Sequence, residues 1–192
     1  MIDIEKLKLD VKQQLKDDDF RFKHVMGVYE TALELAKHYN VSKIETAVAS
    51  LFHDYMKNES YDIQKNYLTP SDIILYQQTP VMYHALSAAE VLKQTYNIVD
   101  QHILDAIAYH VWGKPKMTLL GKIIFVSDYC EPNRDFLDTT YIKEMALKDL
   151  DQAVLYCMTL TLNEVRKNNQ VIHANQLEAY TYYLEEKSGK IK

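Results

Sequence analysis

Apolar positions recur along most of this chain at the three- to four-residue intervals of an amphipathic helix, and no useful length shows the strict alternation of a half-buried strand. Leu and Val interleave with Lys, Asp and Gln over residues 3–17, which reads as a short leading helix. Asp17, Asp18 and Asp19 offer N-caps for the next helix, where Phe20, His24, Val28, Ala32 and Leu35 share one face up to a stop near Asn40. Ser42 caps a third helix running through Thr46–Phe52, which is apolar nearly all round and therefore central. After a polar, Tyr-containing stretch, Thr69-Pro70-Ser71-Asp72 and Thr79-Pro80 each read as helix starts with Pro at the first helical position. Ile103, Ala106, Ile107 and His110 line a further helix that Gly113-Lys114-Pro115 interrupts. The apolar segment Leu119–Val126 leads to Ser127-Asp128, and Glu131-Pro132-Asn133-Arg134 breaks the chain again. Helical stretches over 141–168 and 173–187 precede a basic tail, Lys187–Lys192. With no internal repeat, low-complexity segment or linker, the pattern predicts one all-α domain over residues 1–192, with core motifs in 20–135 and C-terminal helices in 141–187.

Against this pattern, His24, the doublet His53-Asp54, His84, His110 and Asp128 stand out, because each falls on a stretch that otherwise reads as buried. His24 lies four residues from both Phe20 and Val28, His84 three after Val81 and four before Ala88, His110 three after Ile107, and Asp128 four after Ile124. A polar group on an apolar face costs several kcal/mol unless it is hydrogen-bonded, paired or metal-bound. Any one of them reads most simply as a core side chain bonded to a carbonyl. Their coincidence predicts a shared polar centre inside a helical bundle.

Composition narrows the class further. The chain has 192 residues, enough for one domain with a real core. Gly and Pro number only 4 each, too few for a protein built from many tight turns. The net charge of −5 supplies no global basic field for nucleic acid, so an anionic small substrate needs local cations or a metal. Cys130 and Cys157 form neither a CxxC pair nor a disulfide framework, which fits reduced thiols in the cytoplasm. The start of the chain lacks the pattern of a signal peptide, and no apolar run approaches the ~20 residues that span a membrane. The 15 tyrosines gather partly in the C-terminal helices, whose faces suit either core or a homodimer contact.

Consecutive helical residues diverge by about 100°, so His53 and Asp54 do not share a face. A metal at the edge of the helix can still use both, and a carboxylate can bridge to a second ion. Imidazole with carboxylate suits a divalent iron, manganese or zinc, and the lack of thiolates argues against a structural zinc site. Such a site generates a nucleophile from water near neutral pH, and a pair of ions clamps a phosphoryl group during displacement.

His24, His53-Asp54 and Asp128 in this order, with His84 and His110 between, resemble the HD-domain metal-dependent phosphohydrolases. Lys57 completes His-Asp-x-x-Lys. The segment Asp128-Tyr129-Cys130-Glu131-Pro132-Asn133-Arg134 is similar to the Asp-Tyr-x-Glu-Pro-x-Arg signature of the symmetrical diadenosine tetraphosphatases. The resemblance implies an HD-domain helical bundle with a metal site in its core. It implies hydrolysis of diadenosine tetraphosphate at its centre to two ADP, with one or two divalent ions, iron first among them. It places metal on His24, His53, Asp54 and Asp128, with His84 and His110 holding a second ion or substrate phosphates. Asp54 and Lys57 become the catalytic pair, and Lys57 and Arg134 offset phosphate charge, Arg134 being able to bind two oxygens at once.

The chain departs from the family at Ala85, where Gly is usual after the histidine; at Val111 and Trp112, where His-Thr-Thr-Gly is usual; and at Tyr180 and Thr181, where Leu-Glu-Ala-Arg-Asn is usual. Every metal-site residue is retained, and the departures bear on the substrate wall. Three alternatives stay open: a phosphohydrolase for another nucleotide, such as a mononucleotide or a guanosine polyphosphate; a non-catalytic HD module that binds a nucleotide or a partner protein; and a helical interaction protein with no metal. Among lesser candidates, His38 and His102 read as solvated, Cys130 as core, and Trp112 as packing or a base platform. Glu131 reads as a cap or an orienting carboxylate, and His173 as packing or substrate contact.

Overall fold

The computed structural model describes residues 2–135 and 138–189; Met1 and the end of the basic tail, residues 190–192, lie outside them. Among the described residues there are eleven helices and no strand: α1 (Ile4–Gln14), α2 (Asp19–His38), α3 (Lys43–Phe52), α4 (Tyr61–Lys65), α5 (Pro70–Leu75), α6 (Met82–Tyr96), α7 (Gln101–Ala108), α8 (Leu119–Cys130), α9 (Thr139–Lys148), α10 (Leu150–Lys167) and α11 (Ala174–Lys187).

Side-chain caps explain most of the starts. Asp18, Ser42 and Thr118 each accept the N–H three residues on, from Arg21, Glu45 and Gly121. Thr69 and Asp72 form a reciprocal capping box with Pro70 at the first position of α5. The start expected at Thr79-Pro80 is displaced. Met82 and Tyr83 donate to the Thr79 and Pro80 carbonyls in a tight turn, and α6 begins only at Met82, without a side-chain cap. The single stretch expected over 141–168 is two helices. Asp149 takes an extended conformation (φ −155°), donates its N–H to Met145, and caps α10 through Gln152 N–H.

The central α3 is buried from Thr46 to Phe52. It packs on α1, α2 and α7, while α8 lies against α2, α7, α9 and α10. Val28, Ala32, Leu35, Ala88, Ile107 and Ile124 are buried as the periodicity requires. Phe20 and Val81 are not: they are 65% and 39% exposed, because each sits at the first turn or cap of its helix, beyond the reach of a facing helix.

Candidate metal centre

Five segments bring their polar side chains to one point. His24 comes from the second turn of α2, His84 from the first turn of α6, and Asp128 from the last turn of α8. His53 is the residue that ends α3, and beyond it the backbone unwinds into i→i−3 turns, Tyr55 to Phe52 and Lys57 to Asp54. That unwinding lets adjacent residues point into the same centre. His110 likewise falls two residues past the end of α7, in the turn that Gly113 (φ 74°) completes, rather than on the helix itself.

Two triads result, His24–His53–Asp128 and Asp54–His84–His110, each with its ligating atoms close enough together to hold a metal ion. In the first, His24 Nε2 lies 3.3 Å from His53 Nε2 and 3.0 Å from Asp128 Oδ1. In the second, His84 Nε2 lies 3.3 Å from His110 Nε2 and 3.1 Å from Asp54 Oδ1. Asp54 joins them, since its Oδ2 is 3.6 Å from His24 Nε2 and 3.7 Å from His53 Nε2 while Oδ1 faces the second triad.

The protonation of these rings follows from their other nitrogens. A carbonyl can only accept, so His53 Nδ1–H donates to Ser50 O (2.7 Å) and His110 Nδ1–H to Ile107 O (2.8 Å). Their Nε2 atoms then carry lone pairs directed inward. Burial pushes His53 down to about 3 and His84 down to about 4, so both are neutral donors at physiological pH. Burial also opposes a charge on His24, but the Asp128 and Glu131 carboxylates outweigh it and raise that group to about 9. His24 therefore sits where the surroundings favour a positive charge. Asp54 and Asp128 are held well below the usual carboxylate range against burial, Asp54 by His53, His110, His84 and Lys57, and Asp128 by Arg134, His24 and His53.

The inward lone pairs of His53 and His110 stand among the Asp54 and Asp128 carboxylates, an arrangement that a cation satisfies, and Asp54 Oδ1, fully enclosed, has no hydrogen-bond partner. The donor set of nitrogen and oxygen without sulfur fits a borderline divalent metal. These side chains are therefore able to hold one, and the two oxygens of Asp54 face one triad each.

Lys57 stands at the open side of the second triad, with Nζ 3.5 Å from His84 Nε2 and 4.0 Å from Asp54 Oδ1. Arg134, expected on phosphate, donates to the Asp128 carbonyl from Nε and to Asp128 Oδ1 from Nη2. Its guanidinium braces that carboxylate. Glu131, 1% exposed, accepts from His24 Nδ1 (3.1 Å) with one oxygen and from the Asn133 N–H and side-chain amide (2.8 Å each) with the other. It is the orienting carboxylate, the usual arrangement behind a histidine that faces a metal.

Arg21 was not anticipated, although it precedes His24 by three residues and so shares its helix face. Its Nη1 donates to Asp54 Oδ2 at 2.7 Å. His38 and His102 are exposed. Trp112 is buried against the His173 ring (5.3 Å, 23°), which accepts from Asn175 N–H and donates to Leu75 O.

The HD-domain family model matches residues 21–133. A protein of Halalkalibacterium halodurans named bis(5'-nucleosyl)-tetraphosphatase, symmetrical, is 35% identical over 86% of this chain and 90% of its own length. Its namesake in Bacillus subtilis is 34% identical over 90% and 92%. A crystal structure from Clostridium acetobutylicum, described as a predicted HD superfamily hydrolase involved in NAD metabolism, superposes with a TM-score of 0.86 at 30% identity, covering 97% of this chain and 99% of that one.

Proposed function

Since the chain belongs to the HD-domain family, we infer that it is a metal-dependent phosphohydrolase that cleaves diadenosine tetraphosphate symmetrically to two ADP. The observation that carries this reading is the pair of triads sharing Asp54, in a chain similar over most of its length to proteins named for that activity. The nucleotide is the small-molecule partner. The chain acts as one HD-type domain, and its free, buried Cys130 and Cys157 suit the reducing cytoplasm. No helix among the described residues is long and apolar enough to cross a membrane.

His24, His53, Asp54 and Asp128 hold the first metal, and Asp54, His84 and His110 hold a second or the phosphates. Iron is the metal we propose, with manganese and zinc compatible with the same donors. A divalent ion supplies Lewis acidity here, polarising a phosphoryl oxygen and making water nucleophilic near neutral pH. The protein's own groups do the rest. Ser50 O, Ile107 O and Glu131 fix the histidine rings so that their inward nitrogens are set before substrate arrives. Arg134 holds Asp128 through carbonyl and carboxylate, so any contact it makes with phosphate is made by a guanidinium already anchored. Lys57, 31% exposed at its side chain, is the cation placed to meet the polyphosphate. ADP is a good leaving group, so charge neutralisation is the larger contribution and strong general-acid help the smaller.

The test is chromatography of products after incubation with diadenosine tetraphosphate and ferrous iron under reducing conditions, with a chelator control. Two ADP, abolished by chelator, is the expected result. ATP plus AMP moves the attack to another phosphorus and overturns symmetrical cleavage. No product overturns the substrate assignment.

A further inference from the structure

A cavity of about 620 Å³ opens between the turn that precedes α6, the turn that follows α7 and the helices α10 and α11, and Gln176 forms part of its wall. Gln176 is 4% exposed, and neither its amide oxygen nor its amide nitrogen has a hydrogen-bond partner. Thr79, 9% exposed, lines the same cavity, and its hydroxyl is also buried without a partner. Buried polar side chains are nearly always bonded, and an amide leaving both ends unmet points to something that completes it.

The cavity borders the segments that carry the second triad. Val81, in its wall, precedes His84 by three residues, and Trp112 follows His110 by two. Thr161, also in the wall, hydrogen-bonds the Tyr129 hydroxyl, and Tyr129 is the neighbour of Asp128. A molecule whose phosphates lie at Lys57 and His84 therefore has this space within reach for its nucleoside end. The volume is ample for a nucleoside, since small-molecule sites run from about 300 to 1,000 Å³.

Gln176 is also firmly placed. It sits in the first turn of α11, whose start is fixed by His173: the ring caps Asn175 N–H, donates to Leu75 O and stacks on Trp112. Asn175 adds a bond to the Tyr76 hydroxyl.

We propose that this cavity holds one nucleoside of the substrate and that Gln176, whose amide is enclosed in the wall, turns toward the cavity to read its base, with the Thr79 hydroxyl as a second polar contact. An amide offers one donor beside one acceptor, which matches a base edge that presents an acceptor beside a donor, as adenine does with its amino group and the adjacent ring nitrogen. The proposal rests on the nucleotide-hydrolase reading for its substrate and adds the residue that sets base preference.

The test compares Gln176→Met, of similar volume without the amide, with the unmodified metal-loaded protein. Calorimetric titration with ADP and with inorganic tripolyphosphate separates base from phosphate contacts, and KM and kcat are measured on diadenosine tetraphosphate. Loss of two hydrogen bonds weakens ADP binding and raises KM by about 10-fold or more, while tripolyphosphate affinity, kcat and metal content stay within about twofold of the unmodified protein. Gln176→Leu, uncharged and likewise without the amide, gives the same split if the methionine variant fails to fold. Unchanged ADP affinity in a folded variant, with a raised melting temperature, makes Gln176 a packing residue and overturns the proposal. Absence of any hydrolysis, together with ADP binding that still depends on Gln176, refutes the activity and supports the pocket.

Discussion

Replacing Gly27 with alanine tests how the centre is braced. Gly27 lies in the middle of α2, where glycine is a poor helix former and alanine gains about 1 kcal/mol. A Cβ there, however, meets Glu131 Oε2 at 2.2 Å, Asn133 Nδ2 at 2.8 Å and Glu131 Cδ at 3.1 Å. Ordinary contact begins at 3.4 Å, so the carboxylate must retreat by more than an ångström. That retreat strains both 2.8 Å bonds from Asn133 and the 3.1 Å bond from His24. Hydrogen bonds to a charged group contribute about 1.5–3 kcal/mol each. Discounting the exposed Asn133 amide, the loss exceeds the helix gain, and Gly27→Ala is expected to destabilise by about 2 kcal/mol. Because Glu131 orients His24, metal affinity should fall by about 10- to 100-fold. Urea denaturation and competition against a chromophoric chelator read the two effects. In a Glu131→Ala background the carboxylate is gone and the exposed Asn133 amide, released from its bond to that carboxylate, can swing aside, so the same Gly27→Ala change should then stabilise by up to about 1 kcal/mol. A Gly27→Ala variant with undiminished stability and metal affinity refutes the claim that this glycine exists to admit Glu131.

Asp54→Ala removes the carboxylate shared by both triads and should lower turnover by at least about 10³-fold while the helical circular-dichroism spectrum persists; retained turnover excludes the site. Lys57→Ala should raise KM or lower kcat by about 10- to 100-fold with metal content intact, and loss of the metal would show that the lysine supports the centre rather than the phosphates. Chelation should lower the melting temperature, since a metal present at about 100 times its Kd stabilises by about 2.7 kcal/mol; an unchanged midpoint argues that no metal is bound in the folded protein. Burial pushes Cys130 up to about 12 and Cys157 well above the ordinary thiol range. Both thiols should resist a disulfide reagent at neutral pH until denaturant is added. Their folded values lie above their unfolded ones, so their contribution is complete below the unfolded thiol pKa and declines as pH rises toward 12. A Cys130→Ala variant should therefore show a shallower alkaline decline in urea midpoint, and an identical decline refutes that share.

The centre was legible because its members carry their own signal: His24, His84 and Asp128 each interrupt an apolar face at helical spacing, and buried helices rarely contain such residues without cause. Arg21 carried no comparable signal, since an arginine in the first turn of a helix is normally solvated, and only the approach of Asp54 from another segment gives it a partner. Arg134 reads from the sequence as a phosphate ligand, but its bond to the Asp128 carbonyl depends on how the chain folds back after α8, which no local pattern encodes. The break at Asp149 was hidden because apolar periodicity continues on both sides of a residue that leaves the helical conformation for one step. Gln176 is the opposite of the histidines: a neutral amide among ordinary helix formers, informative only once its burial and its unmet bonds are known.

Asp54 presents one oxygen to each triad, and it is a single charge. If both triads take a cation, occupancy at one alters the affinity at the other, and the alteration is the same in both directions, because a coupling free energy belongs to the pair. Titration curves for this protein should be read as those of a linked system. In a two-ion form, the concentration at which the two positions fill is a joint property, set as much by the neighbour as by either triad alone.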